Sequence, residues 1–431
     1  MDRKLIQKSI DYIEDHLKTD ISAAELSDMA GFSLFHYYRL FSCAVGMPVM
    51  QYVLRRRLLN AIYEISCGNK MIDAALNYGF ETYAGFYRAF QREFGYTPSQ
   101  YLDKFKVKKP YRINLFKEEH IMLTHKKIRE ILKYWGKETE KITDVVYTES
   151  GEISATSSYV GNEYVLKYSA NLGKVETNIS IAKALENIGL SAAIPIKTLD
   201  GKDYVADGEL FFYLTQRING SPLKANTMYI DDYISKARFV GEIIGQLSLA
   251  LCRIDILADD KNLYENVMNW AIPKLKGTLN VDKEFFNDYA QTFGGLYEGL
   301  PKKIIHRDPN PSNIILSDGK WGFIDFELSE RNIRIFDPCY AAAAILSESF
   351  SERNDEKLSK WIEVYKNIIY GYDDVVKLST EEKRAVPYVI MSNQLIATAY
   401  FSEQEKYKEL FEINKKMTEW LTNNFQKLNI D

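Results

Sequence analysis

The stretch IIHRDPNPSNIIL (304–316) sets His306, Arg307 and Asp308 behind an apolar run, and Asn313 follows the aspartate by five residues. Pro309 and Pro311 bracket the interval, and WGFIDFE a few residues on carries Asp325. Between them, Asp318-Gly319 is a strong two-residue hairpin signal. Folding there pairs Ile314, Ile315 and Leu316 with the run Trp321 to Ile324 and brings Asn313 and Asp325 to the same open end. One carboxylate and one carboxamide oxygen held side by side suit a magnesium ion shared with phosphate oxygens. Asp308, on the loop just before, is placed to take the proton of an acceptor hydroxyl and align it for in-line attack. The prolines hold that loop in a non-helical path.

Such chemistry also needs a cation on the nucleotide phosphates. Lys167, near the end of EYVLKYS and flanked by apolar residues, is the candidate. The segment Gly151 to Thr156 is expected to be a loop covering the phosphates through backbone N–H groups and the hydroxyls of Ser154 and Thr156. The elements around these residues are a helix over about 121–135, strands in TDVVYTES, ATSSYV and EYVLKYS with a Gly161-Asn162 turn, and a helix over about 175–187. A strand pair near 193–199 and 210–216 follows, and after Ser221 the chain is mostly helical. A small sheet with one helix, then a larger helical lobe, makes an α+β bilobal plan, and clefts between such lobes bind ligands.

Over about 120–431 the sequence resembles the aminoglycoside phosphotransferase and choline kinase-like superfamily, through VLKYS, IIHRDPNPSNIIL, GFIDFE and FDPCY. The resemblance implies a protein-kinase-like fold using ATP or GTP with Mg2+. It also implies Lys167 on the α/β phosphates, Asp308 as catalytic base, and Asn313 and Asp325 as metal ligands. Asp337 would support the catalytic loop, and adenine would meet backbone groups at Gln216 and Ile218 in the hinge LTQRING. His306 in this setting braces the loop. The helix glutamate that pairs with the lysine falls at Asn178 by gap-free matching; Glu176, two residues earlier, serves only if the helix is shifted. Acidic residues such as Asp255, Asp259, Asp373 and Asp374 are candidates for a cationic acceptor or for a solvated face, and the acceptor is expected to be a small hydroxylated molecule.

The N-terminal part has a different logic, an internal repeat. AGFSLFHYYRLFSCAVGMP (30–48) reappears as YGFETYAGFYRAFQREFGYTP (78–98), matching Gly31 with Gly79, Arg39 with Arg88, Phe41 with Phe90, Gly46 with Gly95 and Pro48 with Pro98. Each copy follows a short amphipathic segment, so the pattern reads helix, glycine turn, helix, twice over. Phe32, Tyr37, Leu40 and Phe41 share one face of the first copy; Phe35, Tyr38 and Arg39 share the other. In the second, Phe86 and Phe90 face inward while Tyr83, Ala84, Gly85 and Arg88 face away. A helix over about 50–65 joins the units, which suits two successive major grooves of double-stranded DNA. Residues 1 to about 106 resemble the AraC/XylS-type DNA-binding domain, FGYTPSQY being the most specific part. The outward faces are then the recognition positions, although Phe35, Tyr38, Tyr83 and Ala84 make no bidentate hydrogen bonds to bases.

A chain of 431 residues exceeds what one core usually supports. The motifs divide it into an all-α double helix-turn-helix domain (1–106), a linker (107–119), a kinase-like N-lobe (120–220) and a helical C-lobe (221–431). The net charge of −4 splits into +3 for residues 1–110, with 15 Lys+Arg against 12 Asp+Glu, and −7 for the rest. The arginine triplet Arg55–Arg57 and four lysines between 104 and 109 concentrate the positive charge, a weak pointer to nucleic acid. Four scattered cysteines without a CxxC pair offer no zinc framework and suit a reducing compartment. With no leader or membrane-spanning run read in the sequence, a cytoplasmic protein with no membrane partner is expected. Three functional readings stay open: a DNA-binding transcription regulator fused to a small-molecule kinase or effector sensor, a small-molecule kinase in its own right, and a catalytically silent nucleotide sensor controlling DNA binding. Acceptor, operator and oligomeric state are not encoded legibly.

Overall fold

The computed structural model describes residues 3–105, 107–116, 123–146, 153–208, 210–254, 258–317, 319–351, 354–403 and 407–430. The first hundred residues form seven helices: α1 (Arg3–Asp15), α2 (Ala23–Met29), α3 (Leu34–Val45), α4 (Val49–Ser66), α5 (Met71–Asn77), α6 (Tyr83–Phe94) and α7 (Pro98–Lys104). Local chemistry sets the boundaries. The side chains of Ser22, Thr82 and Thr97 accept hydrogen bonds from backbone N–H groups in the first turns of α2, α6 and α7. Thr97 and Gln100 complete a reciprocal capping box with Pro98 in the first turn. Gly46 and Gly95 end α3 and α6 in the left-handed conformation at φ 83° and 76°. The interhelical turns also need a glycine, Gly31 at φ 71° and Gly79 at φ 80°. Tyr37, Phe41, Tyr52, Phe86, Phe90 and Phe94 are fully buried in one aromatic core.

The arginine triplet does not form a basic surface. Arg55 and Arg56 are buried, the latter in a bidentate pair with Glu14 at 2.6 and 2.9 Å while it also donates to the Tyr111 carbonyl at 2.7 Å. Arg57 donates to the carbonyls of Leu17 and Thr19. All three guanidiniums of α4 are spent on holding the chain together.

Strands β1 (Ile142–Val146), β2 (Ile153–Val160) and β3 (Tyr164–Ser169) form an antiparallel sheet that continues onto Leu210–Gln216, with Val205–Asp207 paired to the same strand. A helix at His125–Leu132, capped by Thr124, buries Ile128, Ile131 and Leu132 together with Ile142, Leu166, Phe212 and Leu214. Three sequence expectations shift. The expected helix over 121–135 starts at His125 and ends in a 3-10 turn at Lys133–Trp135. Of the expected strand 193–199, only Pro195–Ile196 is extended in a sheet, since proline gives the ladder no N–H. Ser154 and Thr156 lie inside β2; Gly151 falls outside the described residues.

Two compact units emerge: residues 1–171 with 196–217, and residues 172–195 with 218–431. They cut across the division drawn by motif, because the helix-turn-helix segment shares its unit with the sheet. In the second unit, the helix Leu172–Asn187 goes with the helical part of the chain. A hairpin of Ile314–Ser317 and Lys320–Phe323 is flanked by Ser221–Pro222 on one side and, in parallel, by Ser191–Ala192 on the other. Lys302–Ile305 pairs with Glu330–Ile333. Tyr233–Leu251 and Asp355–Val376 pack at glycine contacts so close that a Cβ on Gly241 or on Gly371 would stand 2.0 Å from a carbonyl oxygen of the opposite helix. No helix among the described residues is long and apolar enough to cross a membrane.

Removing one partner of a buried ion pair strands the other charge away from water. Arg56→Ala is therefore expected to lower unfolding stability by about 3–5 kcal/mol, read as an earlier denaturant midpoint. A triplet facing DNA would instead leave the midpoint in place and weaken DNA binding.

Candidate functional site: a catalytic-type loop and two recognition helices

The loop after Ile305 is held from below by one carboxylate. Asp337, in the first turn of the helix Phe336–Ser349, accepts from the backbone N–H of His306 at 2.8 Å and of Arg307 at 3.0 Å. Burial raises its carboxyl above the usual range, against the opposing pull of His306 and these two N–H groups. Arg307 stands at φ 76°, a conformation that a non-glycine residue keeps only when its surroundings impose it. Its guanidinium meets Glu330 at 3.2 Å and lies 4.4 Å from the Phe336 ring centroid.

His306 is fully buried against Phe326 and Phe323. Its Nε2 lies 3.0 Å from the Ile324 carbonyl and its Nδ1 accepts from the Asp308 N–H at 3.3 Å. Both ring nitrogens are thus used in bracing the loop.

Asp308 is gripped on both carboxylate oxygens. Asn310 Nδ2 donates to Oδ1 at 2.9 Å, and Asn313 Nδ2 donates to Oδ2 at 3.2 Å and to the Asp308 carbonyl at 2.9 Å. Asn310 is itself fixed by Ser312, whose N–H and hydroxyl donate to its Oδ1. Tyr340, the last residue of FDPCY, lies near Asp308; burial first, and then this carboxylate, push its phenol well above the ordinary value. For Asn310 the Asx turn in PNPSN is the local cue, and Tyr340 is marked only by its place in FDPCY.

The hairpin has the register expected of it. Ile314 lies opposite Phe323 and Ser317 opposite Lys320, leaving two residues in the turn; Gly319 takes φ 77°, and Asp318 falls outside the described residues. The Ile324 N–H donates to the Asn313 carbonyl at 3.1 Å, which sets Asn313 and Asp325 at the same end. With Nδ2 of Asn313 committed to Asp308, its Oδ1 is the atom left to meet a cation. Asp325 holds φ 70°, a second strained position within the same few residues. One carboxylate and one amide oxygen fit a hard cation that completes its shell with phosphate and water.

Lys167 sits in β3, half-buried, opposite Ser157 on one side and Tyr213 on the other. By that pairing Ser157 shares its face, whereas the adjoining Thr156 is turned away. Ser154 is buried, and its hydroxyl accepts from the Thr156 N–H at 3.4 Å. The β1–β2 register shifts between Asp144 and Val146, so the described part of the expected loop, residues 153–156, is a strand segment with extra residues, a bulge against β1. Gln216 ends its strand opposite Tyr164; because the Arg217 N–H donates to Glu163, the N–H and C=O of Gln216 point away from β3. Ile218 opens the second unit. Glu176 is exposed, and Asn178 is buried with its Oδ1 accepting from the Phe326 N–H at 2.8 Å.

The acidic residues considered for an acceptor do not converge. Asp373 meets Lys383, Asp374 meets Arg238 and Asp259 meets Lys261, while Asp255 lies outside the described residues.

In the N-terminal domain, α3 and α6 present Phe35, Arg39, Ala84 and Arg88 to solvent, Phe35 being 82% exposed. Gly85 is half-buried, its N–H capped by Thr82. Tyr38 and Tyr83 depart from the outward reading. Both are half-buried against the aromatic core, and the Tyr83 hydroxyl is 3.5 Å from Met71 Sδ. Aromatic area is worth more in that core than in solvent, which turns both rings inward.

Two families match different parts of the chain. Residues 26–104 match a helix-turn-helix domain family. In that region the chain is 33% identical over 98 residues to the transcriptional activator AarP of Providencia stuartii, covering 22% of this chain and 73% of that one. It is 30% identical over 100 residues to the regulatory protein SoxS of Salmonella typhimurium, 23% of this chain and 94% of that one. With the HTH-type regulator YbfP of Bacillus subtilis it shares 38% over 99 residues, 23% of this chain but only 34% of that protein's length. Among solved structures, a microcompartment-associated aminopropanol kinase superposes with a TM-score of 0.52 at 13% identity, covering 70% of this chain and 96% of that one. An amicoumacin kinase in complex with AMP-PNP, Ca2+ and Ami gives 0.50 at 14%, over 70% and 96%. These establish a kinase-like fold behind the N-terminal domain. Residues 150–366, half of the chain, match the phosphotransferase enzyme family, and the protein belongs to it, carrying an AraC-type helix-turn-helix transcription-regulator domain at its N-terminal end.

Proposed function

We propose that this protein is a sequence-specific transcription regulator whose phosphotransferase domain transfers a phosphoryl group from ATP or GTP to an alcohol of a small hydroxylated molecule. One observation carries the reading. Asp308, with one amide on each carboxylate oxygen, adjoins the hairpin end that bears Asn313 and Asp325. Asn310 and Asn313 fix the direction of the carboxylate, so that it can accept the proton of an incoming hydroxyl without first reorganising. Asp337 and His306 hold the backbone on which that direction depends. A divalent cation on Asn313 and Asp325 would neutralise charge gathering on the phosphate oxygens. Lys167 is the residue proposed for the α/β phosphates, and the backbone of Gln216 and Ile218 for the adenine edge. Thr156 and Ser154 are the weaker members of the proposed nucleotide set, since one is turned from the lysine's face and the other is buried.

One observation favours a second reading, a silent nucleotide sensor: the position matched to the helix glutamate is Asn178, and its side-chain oxygen is taken by the Phe326 N–H. Turnover decides between the two. Asp308→Ala is expected to slow phosphoryl transfer by about 10²–10⁴-fold while nucleotide binding persists, measured on a panel of amino alcohols and aminoglycosides. Nucleotide binding with no transfer to any acceptor would leave the sensor reading.

On the DNA side, Arg88→Ala is expected to weaken binding to a fragment selected from random sequence by the wild-type protein. The loss should be about 1–3 kcal/mol if the guanidinium reaches a base edge. Unchanged affinity would remove α6 from the major groove.

A further inference from the structure

Arg55 is a buried charge that neither DNA reading nor phosphoryl transfer uses. It lies on α4, and its guanidinium donates to Glu93 of α6 at 2.8 Å and to Asp144 of β1 at 3.1 Å, while resting 5.1 Å from the Phe94 ring centroid. Asp144 is also 3.4 Å from His125 Nε2. All three members of the triad are buried.

Two further contacts fall at the same joint. Gly95, which ends α6, is backed so closely by β1 that a Cβ there would stand 2.7 Å from Thr143 and 3.2 Å from the Ile142 carbonyl. Val146 and Ile153, from β1 and β2, pack into the aromatic core of the helix-turn-helix domain.

A well-packed apolar plug would stabilise such a joint as well or better, because burying charges costs desolvation. What a charged triad adds is intolerance of misalignment. A shift of α6 against β1 by an ångström or two leaves a carboxylate or the guanidinium buried without its partner, so the joint is either mated or open. Each functional assignment shares a helix or a sheet with this joint. Arg88 lies on α6, five residues before Glu93, and Lys167 lies on β3, in the same sheet as β1.

We propose that the Arg55–Glu93–Asp144 triad links the two sites thermodynamically. Nucleotide on the Lys167 strand and DNA on α6 each favour the mated joint, so each tightens binding of the other. This rests on the function proposed above. Linkage makes the effect reciprocal, and ordering the joint for one ligand spares the other that cost.

The test uses the full chain, the DNA fragment selected by the wild-type protein, and Mg·AMP-PNP as the nucleotide probe. DNA affinity is measured with and without the probe, and AMP-PNP binding with and without DNA. The wild type should show about fivefold or greater tightening in both directions. Arg55→Met and the milder Asp144→Asn, which leaves Arg55 its Glu93 partner, should bring the ratio towards one while each ligand still binds. Amide exchange in α6 should slow on adding AMP-PNP in the wild type and not in Asp144→Asn. A ratio of one in the wild type with both ligands bound, or an undiminished ratio in Asp144→Asn, overturns the coupling and leaves the function standing. Failure to bind AMP-PNP at all overturns the nucleotide reading and the coupling with it.

Discussion

The carboxylate of Asp337 is the constraint from which the candidate site follows. A loop that leaves a strand at Ile305 and must turn at once has two backbone N–H groups with no ladder to join, and both are satisfied by this one buried side chain. The left-handed conformation of Arg307 is tolerable only because its N–H is tied down there. From that turn His306 reaches the Ile324 carbonyl, and Asp308 arrives within reach of Asn310 and Asn313. The site is a chain of consequences of one acceptor placed at the start of a helix.

Buried charge recurs in the N-terminal domain with a different outcome. In α4, Arg55 and Arg56 hold carboxylates from distant parts of the chain, Glu93 and Asp144 in one case and Glu14 in the other. The exposed arginines of α3 and α6, Arg39 and Arg88, are the ones proposed to meet DNA instead. Phe35 beside Arg39 gives this surface a mixed apolar and cationic character, which suits thymine methyls and phosphates more than a run of base-edge hydrogen bonds.

Much of this was legible in the sequence because it is local. Repeated glycines, caps and aromatic spacing drew the helix-turn-helix pair, and a two-residue turn drew the hairpin that sets Asn313 beside Asp325. What escaped depends on partners far along the chain. Nothing near Arg55 announces Asp144, 89 residues away, so a cluster of arginines reads as a surface until its counter-charges are placed. The bulge in β2 is invisible for the same reason, since it exists only relative to β1. Tyr38 and Tyr83 were misplaced because a helical wheel assigns a face by angle, whereas a long ring at its edge can fold back onto the core. The motif-based boundaries likewise followed sequence, and the compact units follow packing.

Asn178 has a mechanical corollary. Its side-chain oxygen is bound to the N–H directly after Asp325, so the helix Leu172–Asn187 is bolted to the segment bearing one of the two proposed cation ligands. An acid at this position would have been free to swing between partners with the state of charge around it. A neutral amide keeps its acceptor whatever the charge around it, so the bond that ties this helix to the aspartate's segment does not titrate.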